Sequence, residues 1–140
     1  MRPHGFPPAL RIRKGKEFDR VFQGGARSGD DLIAVHALPN GGPSSRLGLA
    51  VGRTIGGAVV RNRVKRLLRE AFRLQRERLP KDHDLVVVAR STDPAAWSYG
   101  ACERSLLALA GKAAARFAKE GPRRGRPAAG PGEAPGERAR

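Results

Sequence analysis

The chain has 140 residues, 28 Lys and Arg against 13 Asp and Glu, and a formal net charge of +15. This length accommodates one domain with one core and leaves no room for a two-domain enzyme around a large cofactor. A charge surplus of this size repels itself unless a polyanion answers it, so the composition points to nucleic acid ahead of an anionic membrane or an acidic protein.

Most of the positive residues are arginine, whose planar fork pairs with phosphate and stacks on bases as lysine does not. The one cysteine, Cys102, excludes an internal disulfide and a zinc cluster and fits a reducing compartment. Its place in a helical pattern suggests a small buried residue. Met1 to Leu10 lack the apolar stretch of a secretory signal, and no run approaches the roughly 20 apolar residues of a membrane span. A cytoplasmic protein is expected.

Residues 1–13 are Pro-rich and basic and are expected to be extended. Phe18, Val21 and Phe22 then fall at i, i+3 and i+4, one face of a short helix, with Gly24-Gly25 predicted to stop it through a left-handed cap. Ala26 to Ser28 reads as a brief edge strand. Leu32 to Leu38 reads as a strand that turns at Pro39-Asn40-Gly41-Gly42-Pro43, and Arg46 to Val51 as the returning antiparallel strand. A Gly-rich loop, 52–57, leads into a long helix from Val59 to about Arg78, ended by Pro80. The apolar run Leu85-Val86-Val87-Val88 suits a strand covered on both faces. Strand, helix and strand together suggest a parallel crossover. A last helix is predicted from about Tyr99 to Lys119, with Leu106, Leu107, Leu109, Ala110, Ala113 and Phe117 as its apolar side. From Gly121 onward only Gly, Pro, Ala, Glu and Arg remain, so residues 121–140 are expected to be a disordered tail after a single domain, 1–120.

The long helix carries the strongest functional signal. Val60, Val64, Leu67, Leu68, Ala71 and Phe72 keep the helical period and form an apolar stripe. Arg61, Lys65 and Arg69 make one row beside it, and Asn62, Arg66, Arg69 and Arg73 the neighbouring row; Arg63 lies on the same helix. Like charges four residues apart destabilise an isolated helix by roughly 0.2–0.5 kcal/mol per pair. Only Glu70 and Glu77 offset this, whereas a merely solvated face mixes signs. Docked phosphates are the simpler explanation. A helix-turn-helix reader of DNA is disfavoured because a strand and a Gly-rich loop precede the helix. A membrane-surface helix would need its apolar side free, and here the core requires it.

The run Ile55-Gly56-Gly57-Ala58-Val59-Val60-Arg61-Asn62-Arg63-Val64-Lys65-Arg66-Leu67-Leu68-Arg69-Glu70-Ala71-Phe72 closely resembles the RNR signature of the ribonuclease P protein family. Lys16-Glu17-Phe18-Asp19-Arg20-Val21-Phe22 resembles that family's first helix. Gly48 to Val51 and Leu85 to Arg90 resemble the strands flanking the signature. The likeness covers roughly residues 9 to 118.

The resemblance implies an α/β sandwich (α+β) of order αβββαβα, ribosomal-S5-domain-2-like. Its four-stranded mixed sheet would have a left-handed crossover around the RNR helix, against the usual right-handed rule. It implies a subunit of an endoribonuclease whose RNA performs the magnesium-dependent hydrolysis. No catalytic residue, metal ligand or cofactor is then assigned to the chain itself. The partners would be the ribonuclease P catalytic RNA, bound through Arg61, Asn62, Arg63, Lys65, Arg66, Arg69 and Arg73, and precursor tRNA, with no membrane and no DNA. The 5′ leader of the precursor would lie in a cleft between the first helix and the sheet. Phe18 and Phe22, which by spacing alone read as plain core, would there offer stacking faces. His36 would stack on or hydrogen-bond a nucleotide, or simply sit on the sheet. Arg11 and Arg13 would flank the cleft, and Arg53 would fill a basic loop position. Thr54 departs from the family, which commonly has Lys there. A structural protein of the ribosome or of another ribonucleoprotein is the alternative.

No protein nuclease site is visible, since metal-dependent hydrolysis would need clustered carboxylates. Asp82-His83-Asp84 superficially resembles a metal cluster, but adjacent side chains on an extended segment diverge, and the triplet is read as a turn.

Overall fold

Seven elements follow one another in the expected order: α1 (Gly15–Gly24), β1 (Ala26–Gly29), β2 (Ile33–Pro39), β3 (Arg46–Ala50), α2 (Ala58–Leu74), β4 (His83–Ala89) and α3 (Tyr99–Glu120). The structure is a computed structural model and describes residues 8–122. The expected disordered tail, apart from its first two residues, and the start of the N-terminal segment lie outside the described residues.

The strands form a mixed sheet in the order β1-β2-β4-β3. β2 runs antiparallel to both its neighbours, and β3 runs parallel to β4. Helix α2 is therefore a crossover between adjacent parallel strands. The strand after the Asn40-Gly41-Gly42 turn does return antiparallel to β2, but it does not pair with it. β4 inserts between them, because its wholly apolar Leu85–Val88 run is best buried with a strand on each edge and a packed layer on each face.

The two faces have different cores. Alternation sends Leu47, Val51, Leu85, Val87, Val35 and Ala37 to the face covered by α2 and α3, where Phe72, Leu68, Leu106 and Trp97 fill the space between. Full burial of a side chain such as Phe72 contributes roughly 1.5–3 kcal/mol. Val86, Val88, Ala34 and Ala50 face the other way, against Phe18, Val21 and Phe22 of α1 and Ile12 of the N-terminal segment.

Three local expectations are corrected. Gly25 caps α1 in an extended conformation, with φ −83°, and not a left-handed one. Glycine is needed there for closeness, since a β-carbon would stand 2.7 Å from the carbonyl oxygens of both Ala37 and Val21. The N-terminal segment is not extended throughout: Pro8–Leu10 makes a 3-10 turn before Arg11 bridges Leu47 of β3 and the Ile12 N–H donates to the Leu47 carbonyl. Helix α2 ends at Leu74, and Arg76–Arg78 form a separate 3-10 turn.

Candidate nucleic-acid interface

Helix α2 is held to the core by Val64, Leu68, Ala71 and Phe72, all buried, with Val60 and Leu67 packed beside them. Its sequence carries six Arg and Lys against one Glu. Asn62, Arg63, Arg66 and Arg69 are exposed, and Arg61, Lys65 and Arg73 are half-buried along the flanks. Because the apolar stripe fixes the roll of the helix, the basic side is a rigid surface. The first turn has no acidic residue, and Gly57 supplies no side-chain cap. The positive end of the helix dipole thus adds to the field of the arginines.

Apart from Lys65, half-buried on the flank, the predicted residues of this helix divide into three groups. Asn62 and Arg66 face outward without a role in the fold. Arg63 donates through Nη2 to the Trp97 carbonyl at 3.0 Å and so ties α2 to the loop before α3. Arg73 is engaged by Glu70, one turn earlier, through Nε at 3.1 Å and through Nη2. Arg69, one turn before Arg73, is exposed overall, but partial burial of its guanidinium and the nearby charge of Arg11 both lower its pKa. Arg61, in the same row, has a buried Nε with no hydrogen-bond partner among the described residues.

Arg11 was expected to flank the cleft between α1 and the sheet. Successive residues of an extended segment point to opposite faces, and it is Ile12 that packs with Phe18 over Gly48. Arg11 therefore points to the other side of the segment, where its charge is felt by Arg69 of α2. Arg13 is exposed just before α1, and Arg53 is exposed on a short 3-10 turn, Arg53–Ile55, after β3.

On the α1 face, Phe18 and Phe22 are 2% and 6% exposed, and His36 is fully buried. Phe22 meets His36 edge-on with ring centroids 4.8 Å apart. The rings are brought together as expected, but they present no open stacking face. They are the floor and back wall of the α1 face.

Two cations that the sequence reading did not single out stand on the same face. Arg27 pairs with His36 across the β1–β2 ladder and so shares its side of the sheet. Arg90 follows β4 on that side. A β-carbon at Gly29 would lie 3.4 Å from Arg27 Nη2 and 3.3 Å from Arg90 Nη1, so both heads crowd one small space. The Arg27–His36 register was the signal, and it depends on strand pairing.

Asp82-His83-Asp84 is not simply a turn. Asp82 is, with φ 60°, but Asp84 belongs to β4 and is fully buried. It receives Arg46 Nε at 2.9 Å and Nη2 at 2.7 Å, Arg20 Nη2 at 2.9 Å and Asn40 Nδ2 at 3.0 Å. Burial pushes its carboxyl up, but the hydrogen bonds from Arg46 and Asn40 and the two arginine charges outweigh this and hold it below the ordinary carboxylate value. No group of three His, Cys, Asp or Glu is placed to hold a metal ion among the described residues. No described helix is long and apolar enough to cross a membrane.

A small α+β domain with one rigid arginine face defines a protein built to sit on a polyanion. The sequence profile of the family described as Ribonuclease P matches residues 6–114. A relative from Desulfovibrio desulfuricans, the "Ribonuclease P protein component", is 45% identical over 112 residues, 78% of this chain and 86% of that protein. The RNase P protein from Thermotoga maritima superposes with a TM-score of 0.64 at 32% identity, covering 70% of this chain and 92% of that one. The Staphylococcus aureus RNase P protein does so with a TM-score of 0.64 at 27% identity, covering 79% and 95%. The chain belongs to the ribonuclease P protein family. It is the protein subunit of an endoribonuclease that binds RNA and processes tRNA precursors.

Proposed function

We infer that α2 docks on the catalytic RNA while the α1 face receives the 5′ leader of the precursor tRNA. The unbalanced cationic side of α2, fixed by its apolar stripe, is the observation that carries this reading. Arg66, Asn62 and the Arg11–Arg69 pair face phosphates of the catalytic RNA, and each neutralised phosphate releases counterions. On the other face a single strand runs past Arg13, Arg53, Arg27 and Arg90, with Phe18, Phe22 and His36 beneath it. Those rings are buried and wall the α1 face, so phosphate contacts at the rim, positioned by the seating of α1, carry leader binding.

The chemistry belongs to the RNA. The residues present do not fit a resident magnesium, because the described acidic groups are scattered or, like Asp84, already neutralised by arginine. The magnesium that hydrolysis needs belongs to the RNA partner. The work of the chain is to screen repulsion between two RNAs and to orient the leader. The cytoplasm is the compartment that suits this reading, since both proposed partners are RNAs.

Binding of precursor and mature tRNA to the reconstituted holoenzyme tests the leader assignment. Tighter binding of the precursor, with the margin reduced by Arg90→Ala or Arg53→Ala, is expected. Equal affinities would favour a purely structural role on RNA.

A further inference from the structure

Helix α1 is short, ten residues, and no side chain caps its start. A helix of this length is marginal by itself, so tertiary contacts decide where it sits. Its apolar side rests on the sheet: Phe18 lies over Gly48, where a β-carbon would stand 3.0 Å from its ring, and Phe22 abuts His36. Its polar side is tied down by charge. Arg20 Nη2 donates to Asp84 Oδ2 at 2.9 Å, and Glu17 Oε2 accepts from Arg46 Nη1 at 3.2 Å.

These ties are not equivalent. Arg46 and Asp84 face each other across the β3–β4 register and neutralise each other inside the sheet. That pair stands without α1. Arg20, by contrast, is 52% exposed and crosses from the helix to a carboxylate that is fully buried. Asp84 is further oriented by Asn40, so the anchor point does not move with the helix. Arg20 therefore adds little to the core but links α1 to a fixed point of the sheet. The same helix carries the two rings that wall the α1 face, and any change in its seating moves both.

We propose that Arg20 is a positioning residue: by tying α1 to buried Asp84, it sets the gap between α1 and the sheet and so the strength of leader binding. This rests on the leader assignment made above.

The test compares holoenzymes reconstituted with ribonuclease P RNA and either the natural chain, Arg20→Met, Arg20→Lys, or Glu17→Gln combined with Arg20→Met. Affinity is measured for a precursor tRNA and for the mature tRNA across a salt series, with a thermal melt of each protein. The natural chain binds the precursor more tightly. Arg20→Met lowers that preference by roughly five- to tenfold, the double variant lowers it further, and Arg20→Lys restores part of it. Affinity for mature tRNA and the slope of affinity against salt stay unchanged. If the preference is kept in Arg20→Met, the positioning role is wrong while the leader assignment stands. If the preference falls together with a salt slope shallower by about one ion, Arg20 touches a phosphate directly and the proposal is overturned. A protein that no longer folds without Arg20 also contradicts it, since Arg46 should suffice to neutralise Asp84. No preference even in the natural chain would remove the leader assignment and this inference with it.

Discussion

Arg46 and Asp84 lie opposite each other on β3 and β4 and form a two-pronged pair, Nε to Oδ1 at 2.9 Å and Nη2 to Oδ2 at 2.7 Å. The hydrogen bond to Asp84 raises the pKa of Arg46 against the opposing effect of burial. Removing Arg46 leaves buried Asp84 with only Arg20 and Asn40, so Arg46→Met should cost about 1.5–3 kcal/mol in urea unfolding. Because the native carboxyl of Asp84 titrates below its ordinary value, the stabilisation is complete above pH ~4 and is lost as pH falls through the native pKa. Asp84→Asn should flatten that acid limb. A variant with an unchanged acid limb would show that other groups govern it.

Gly25→Ala places a β-carbon 2.7 Å from two backbone oxygens, which cannot rotate away as a side chain can. The end of α1 or strand β2 must move, at a cost of about 1–3 kcal/mol. Gly15→Ala, where a β-carbon meets nothing, should leave the urea midpoint close to that of the natural chain. Equal effects at the two sites would contradict the close-approach account.

The arginines of α2 should separate by experiment. Arg66→Ala should leave thermal stability unchanged, weaken assembly with the catalytic RNA and reduce the salt slope by about one. Arg63→Ala should lose stability as well, about 1 kcal/mol, because it gives up the bond to the Trp97 carbonyl. Identical melting temperatures for both would contradict the division.

Burial pushes the Cys102 thiol up to about 11 from 9.0. The unfolded thiol ionises first, so the stability it contributes is present below pH ~9 and is lost as pH rises toward 11. Labelling with a thiol reagent near neutral pH should track unfolding of the chain, and rapid labelling of the folded protein would refute the buried placement.

The elements were legible because local period and turn chemistry dictate them. Phe18, Val21 and Phe22 mark α1 by spacing alone, and Leu85–Val88 declares a central strand by having no polar side. Pairing was not legible: nothing near Arg46 says that its neighbour is Asp84 and not the strand just before the turn. The same gap hid Arg27 and Arg90, which converge only through the sheet. Whether Arg11 or Ile12 meets α1 was equally hidden, since it depends on the register with Leu47. The RNR helix was read correctly as one apolar and one basic side. What sequence could not assign was the internal duty of Arg63 and Arg73, because their partners depend on packing and rotamer.

The central claim is that this chain assists an RNA catalyst and does not itself cleave. Cleavage of a precursor tRNA at low magnesium should be measured with ribonuclease P RNA alone, with this protein alone, and with both. The account predicts slow cleavage by the RNA, none by the protein and a strong enhancement by the pair. Cleavage by the protein alone, or no enhancement on adding it to the RNA, would contradict it.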